Sequence, residues 1–105
     1  MFFEHRTYTL HPQRARAYLQ LVESKGLPLL GPMLPHMRGY FVSEFGPLNQ
    51  VVHIYKYDSL EQRAQIRSEI ASNPAFPEYA EALTPLIASM ESKILLPAPF
   101  SPLKD

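Results

Sequence analysis

An α+β fold of element order β-α-β-β-α-β, with one four-stranded antiparallel sheet, is what this sequence of 105 residues predicts. Three observations carry it. Runs rich in β-branched and aromatic residues alternate with stretches of helical spacing. Two of those runs, 39–45 and 50–57, are separated only by Gly46-Pro47-Leu48-Asn49, a link short enough to enforce antiparallel pairing. The length suits one domain with a modest core.

Each element has its own signal. Residues 2–10 read as a strand, because Phe3, Thr7, Tyr8 and Thr9 are β-formers and no Gly or Pro interrupts them. Pro12 suits a first helical turn, where its missing N–H removes no hydrogen bond. Ala15, Tyr18, Leu19 and Val22 then follow helical spacing, and Gly26 is a left-handed stop. Pro28, Gly31, Pro32 and Pro35 cannot share one continuous helix without cost, so residues 27–38 read as a broken helical segment. Leu29, Leu30, Met33, Leu34 and Met37 turn inward there. In the hairpin link Pro47 presets φ and Asn49 tolerates positive φ. Asp58 with Glu61 three residues on makes a capping-box-like start for a helix that runs to about Ser72. Asn73-Pro74 breaks it. A second short helix carries Phe76, Tyr79 and Leu83, and Pro85 closes it. Residues 87–96 read as the last strand, and the proline-rich segment 97–105 as an extended tail. In order, this is the split βαβ plan of ferredoxin-like domains, with helices on one face of the sheet.

Composition narrows the function. Ten basic and ten acidic residues give zero formal charge and no basic stripe, which argues against nucleic acid. The absence of cysteine excludes disulfides, thiolate metal sites and cysteine nucleophiles. Charges at Glu4 and Arg6 fall where a signal peptide needs an apolar stretch, and no apolar run is long enough to span a membrane. A soluble cytoplasmic protein is the expectation.

Strand alternation splits the hairpin into two sets. With residues 46–49 as the loop, Phe45 opposes Gln50, Val42 faces His53 and Tyr40 faces Tyr55. Phe41, Ser43, Phe45, Val52 and Ile54 form an apolar set, joined by Phe3 and Thr7 from the first strand and by Met90, Ile94 and Leu96 from the last; this set is expected under the helices. The other set gathers Glu4, Arg6, Tyr8, Tyr40, Val42, Glu44, Val51, His53, Tyr55, Tyr57, Glu91 and Lys93. So many tyrosines among charges suit a covered surface or a ligand cavity. A second copy of the chain is expected to cover this face.

Glu4-His5-Arg6-Thr7-Tyr8, Gly39-Tyr40-Phe41, the hairpin Glu44-Phe45-Gly46-Pro47-Leu48-Asn49-Gln50-Val51-Val52-His53, Tyr57-Asp58-Ser59-Leu60 with Arg63, and the ending Leu96-Pro97-Ala98-Pro99-Phe100-Ser101-Pro102-Leu103 together resemble the NIPSNAP family in its short single-domain form. The resemblance covers nearly the whole chain. It departs in having Gln13 after Pro12, where members often have glycine, and in the density of prolines over 28–35. It implies a dimeric α/β barrel of two ferredoxin-like units, and a fold shared with cofactor-independent monooxygenases and isomerases. It implies no reaction by itself.

Candidate residues follow from the mixed face. His53, on a central strand among tyrosines, reads either as a proton-transfer group or as a buried histidine satisfied by Glu44, a tyrosine or a carbonyl. Arg6 reads as the partner of a carboxylate or enolate, or as one member of a buried charge network with Glu4. Glu4, Tyr8, His36, Tyr40, Glu44 and Tyr55 are the remaining candidates for contact with a ligand. No cofactor or metal is expected, since His5, His11, His36 and His53 show no ligand spacing. Phe100, stiffened by flanking prolines, is expected to dock on the partner copy. Three functions fit: a homodimer that binds a small apolar or aromatic molecule, a cofactor-independent monooxygenase or isomerase with His53 as base and Arg6 holding the anion, and a protein-interaction scaffold.

Overall fold

The computed structural model of the chain describes residues 1–104; the last residue of the expected tail, Asp105, lies outside them. The elements run β1 (Phe2–Leu10), α1 (Ala15–Leu21), a π-turn (Val22–Gly26), α2 (Leu27–Leu29), a 3-10 turn (Leu34–His36), β2 (Met37–Val42), β3 (Gln50–Tyr57), α3 (Leu60–Ala71), α4 (Phe76–Leu83), a second 3-10 turn (Thr84–Leu86) and β4 (Ile87–Leu95). The strands form one antiparallel sheet in the order β2-β3-β1-β4. This is the expected ferredoxin-like topology. The first strand has the expected bounds and the last differs by one residue.

The two sheet faces are assigned the other way round from the sequence expectation. Phe2, Glu4, Arg6, Tyr8 and Leu10 of β1 and Val51, His53, Tyr55 and Tyr57 of β3 are buried, and their rings pack with Tyr18, Val22, Met33 and Ile70 of the helical layer. The opposite face carries no helix: Phe3 on it is buried, Thr7, Val52 and Ile54 are half-buried, and Phe41 is 55% exposed. The physical reason lies in the tyrosines. Each contributes a large apolar ring to the core and one hydroxyl; those of Tyr8, Tyr18, Tyr40 and Tyr55 are hydrogen-bonded, while that of Tyr57 is buried without a partner among the described residues. The faces of β4 also differ from the expectation. Met90, Ser92 and Ile94 pair with Tyr8, Arg6 and Glu4 and share their side, while Glu91 and Lys93 face outward in an exposed ion pair.

The hairpin register is displaced by two residues. Tyr40 pairs with His53 and Val42 with Val51, and Ser43 N–H donates to Gln50. The loop therefore begins after Val42 and takes in Glu44 and Phe45, both exposed. A two-residue slip preserves the side-chain period, so Tyr40 and Val42 keep their side.

Gly26 does not stop the first helix. Its φ of −71° is right-handed, and the chain passes through the π-turn, where the Leu27 N–H reaches the Val22 carbonyl, into α2. The wider turn suits Pro28, which has no N–H to offer the preceding turn. Gly26 serves instead for close approach, since a Cβ there would lie 2.5 Å from the Tyr79 hydroxyl oxygen. The helix start after β3 is capped one residue later than expected. Ser59 accepts from the Gln62 N–H at 3.0 Å, while the Gln62 side chain accepts from the Asp58 N–H at 2.7 Å. The tail is not extended throughout: Ser101 N–H closes a turn on the Ala98 carbonyl, and Phe100 is 88% exposed.

Pro12 precedes the helix. His11-Pro12-Gln13-Arg14 is a turn closed by the Arg14 N–H on the His11 carbonyl, with Gln13 at φ 66°. Proline followed by a positive φ is the type II pattern, which favours glycine at the third position. Gln13→Gly is therefore expected to stabilise the protein by about 0.5–1 kcal/mol in urea unfolding, through relief of the left-handed strain.

Candidate functional site

Alternation on the central strands sends one polar residue from each of the four strands into a single row. Tyr40 pairs with His53, His53 with Arg6, and Arg6 with Ser92. The row lies on the helix-covered side of the sheet, where a polar group must find its partner inside the protein.

Glu4 is the hub of that satisfaction. It is 1% exposed. It accepts from Arg6 Nη1 at 2.8 Å, from Arg63 Nε and Nη2 at 2.9 Å each, and from Ser92 Oγ at 2.6 Å. Burial alone would raise its pKa, but the hydrogen bonds from Arg63 and Ser92 and the charge of Arg6 outweigh it and hold the carboxyl down at about 2. Arg6 also donates from Nε to the Tyr8 hydroxyl at 3.1 Å, and its guanidinium carbon lies 5.4 Å from the Tyr8 ring centre.

His53 is enclosed by rings. Tyr40 stacks on it at 4.6 Å between centroids, and Tyr8 and Tyr55 meet it edge to face at 4.7 and 5.4 Å. Its Nδ1 and the Tyr55 hydroxyl are 2.7 Å apart. That hydroxyl has no other acceptor among the described residues, so the arrangement that satisfies it has Tyr55 O–H donating to Nδ1. The ring proton then sits on Nε2, which is buried without a partner among the described residues. Burial first, and the Arg6 charge second, lower the His53 pKa to about 3, so the ring is neutral. Tyr18 and Tyr40 share a hydrogen bond of 2.6 Å, and burial raises the pKa of both.

Between this row and the helices lies a cavity of about 550 Å³. Arg6, Tyr8, Tyr40, His53 and Tyr55 line it from the sheet, and Tyr18, Arg67, Phe76, Tyr79 and Ala80 from the helices. Five of the sequence candidates therefore meet on one cavity wall, with Glu4 directly behind Arg6. Two candidates stand elsewhere. Glu44 lies in the exposed hairpin loop. His36 stacks on Tyr57, and its Nδ1 is 2.9 Å from the Lys56 carbonyl, away from the cavity. Neither His11 nor His5 lines the cavity.

Arg63, Arg67, Ser92 and Tyr79 join the site without standing among the residues the sequence points to. A signal for the arginines existed. Arg63, Ile66, Arg67 and Ile70 follow the i, i+3, i+4, i+7 spacing of one helix face. Ile66 and Ile70 pack into the core beside them. Ser92 carries no signal until the β4 register is known.

The model of the NIPSNAP family matches residues 3–102. A NIPSNAP family protein with unknown function from Agrobacterium tumefaciens has a solved structure similar at TM-score 0.91 and 41% identity, over 98% of this chain and 93% of that one. An uncharacterized NIPSNAP-like domain protein from Burkholderia xenovorans is similar at TM-score 0.89 and 41% identity, over 99% and 90%. Among curated proteins, human Protein NipSnap homolog 3A is 32% identical over 99% of this chain, which spans 42% of that protein's length. An antibiotic biosynthesis monooxygenase, 13% identical at TM-score 0.65 over 94% of this chain and all of its own, shares the fold alone. No helix among the described residues is long and apolar enough to cross a membrane.

Proposed function

The chain belongs to the NIPSNAP family, and on that premise we propose that it acts in the cytoplasm as a homodimer that binds a small aromatic or apolar molecule between its sheet and its helices. The observation that carries this reading is the cavity of about 550 Å³ with aromatic walls and a few fixed polar groups. That volume falls within the range of small-molecule sites, roughly 300–1,000 Å³. A partner copy belongs on the open face, where Phe41 and Leu95 are exposed beside half-buried Val52 and Ile54. It does not belong on the tyrosine face, which the chain's own helices already cover.

The neutral fluorophore N-phenyl-1-naphthylamine tests the cavity. We expect saturable binding at about micromolar affinity, one per chain. Ala80→Phe, which fills the space from α4, is expected to abolish binding while leaving the circular dichroism unchanged. Full binding by the variant, or failure of the wild type to bind this probe and 1-naphthoate and 1-naphthamide alike, removes the cavity from the function. In light scattering the expected mass is twice that of the 12.0 kDa chain; a single-chain mass removes the dimer.

One observation favours a second reading. Arg6 and His53 are cross-strand partners on the same cavity wall. The free Arg6 Nη2 suits an oxyanion that develops on a substrate, as in a cofactor-free isomerase or monooxygenase. His53 is poorly placed as the base in such a reaction, because its Nδ1 is engaged by Tyr55 and its pKa is held near 3.

A further inference from the structure

We propose that the cavity is specific for an aromatic carboxylate, with the carboxylate held by Arg6 and the ring held among the tyrosines. This rests on the reading of the cavity as a small-molecule site.

Charge is the first ground. Glu4 is one carboxylate gripped by two guanidinium groups, those of Arg6 and Arg63. The cluster therefore carries a surplus positive charge. Arg67 adds a further cation to the cavity wall, and no Asp or Glu lines the cavity among the described residues. A neutral ligand would leave that surplus facing an apolar space, whereas a monoanion balances it.

A free donor is the second ground. Arg6 spends Nε on Tyr8 and Nη1 on Glu4, and its Nη2 has no partner among the described residues. His53 Nε2 also lacks a partner among them, but it is sealed from the cavity and does not reach a ligand there. A carboxylate is an anionic acceptor that matches one free guanidinium donor and one surplus charge. A phosphate dianion brings more charge than the cluster balances.

Shape is the third ground. Tyr18, Phe76 and Tyr79 line the cavity from the helical side, opposite the sheet. Planar rings pack against such walls in stacked or edge-to-face geometry. The volume admits one or two fused rings beyond the carboxylate.

Titration calorimetry on the intact protein with 1-naphthoate and its neutral isostere 1-naphthamide, near neutral pH and low salt, tests the assignment. We expect 1-naphthoate to bind about tenfold tighter or better than the amide, a preference that shrinks as salt is raised. In Arg6→Gln the preference is expected to vanish, with native circular dichroism as the check on folding. The comparison of the two ligands on the wild type needs no variant, so the test survives if that substitution unfolds the chain. Equal or tighter binding of the amide overturns the proposal and leaves the small-molecule reading standing. Binding of N-phenyl-1-naphthylamine without binding of 1-naphthoate does the same. Failure of all three compounds to bind overturns both. A folded Arg6→Gln protein that keeps the full preference overturns the role given to Arg6.

Discussion

Glu4→Ala is expected to cost about 3–5 kcal/mol of folding stability, because it leaves a buried cation without its counter-charge. Glu4 is almost wholly buried and accepts four hydrogen bonds from three side chains. Its removal strands the Arg6 guanidinium, itself only 8% exposed, in a region of low dielectric. Arg63→Ala is expected to cost clearly less. Glu4 then keeps Arg6 and Ser92, and Arg63, with 26% of its side chain exposed, had less solvation to lose on folding. Urea unfolding of both variants checks the order. A Glu4→Ala protein within about 1 kcal/mol of the wild type would show that the buried cluster is solvated after all.

Acid sensitivity setting in just below neutral pH is the second expected result. His53 has an ordinary pKa of 6.5 and about 3 in the fold. As pH falls below 6.5 the unfolded chain takes up a proton at this position and the native chain does not. The unfolded state is therefore favoured, and stability declines by about 1.4 kcal/mol per pH unit from this group alone. Glu4 acts with the same sign in a lower window. Its folded pKa of about 2 lies below the ordinary 4.5, so its contribution is present above 4.5 and is lost as pH falls toward 2. The unfolding free energy, followed by urea titration at a series of pH values, is expected to drop in two overlapping limbs. His53→Phe is expected to abolish the upper limb and leave the lower. A wild type with flat stability between pH 6.5 and 5 contradicts the buried neutral histidine.

The side-chain sets on β1 and β3 are legible because strand alternation has a period of two and neither strand contains Gly or Pro. Glu4, Arg6, Tyr8, His53 and Tyr55 group together on that ground alone. The side on which the helices lie is not legible. Hydrophobicity favours Phe41, Val52 and Ile54 for the core, and it is outweighed by the ring area of the tyrosines together with the pairing of Glu4 by Arg63, from a helix many residues away in sequence. Gly26 misleads for a similar reason. Locally it reads as a stop, yet its requirement comes from Tyr79, which arrives from a different helix. Glu44 enters the expected site only if the hairpin loop is the shortest the turn residues allow. His36 enters by its residue type, and its ring is occupied by Tyr57 and a backbone carbonyl.

The polar row spans all four strands, and this has a consequence for how the chain is made. Glu4 and Arg6 are synthesised well before Arg63 and Ser92. Until β4 has been made, β1 has no means of burying its carboxylate in a fully satisfied state. β1 must therefore stay hydrated while the segments after it are made, and this interior closes only once β4 is free to pair.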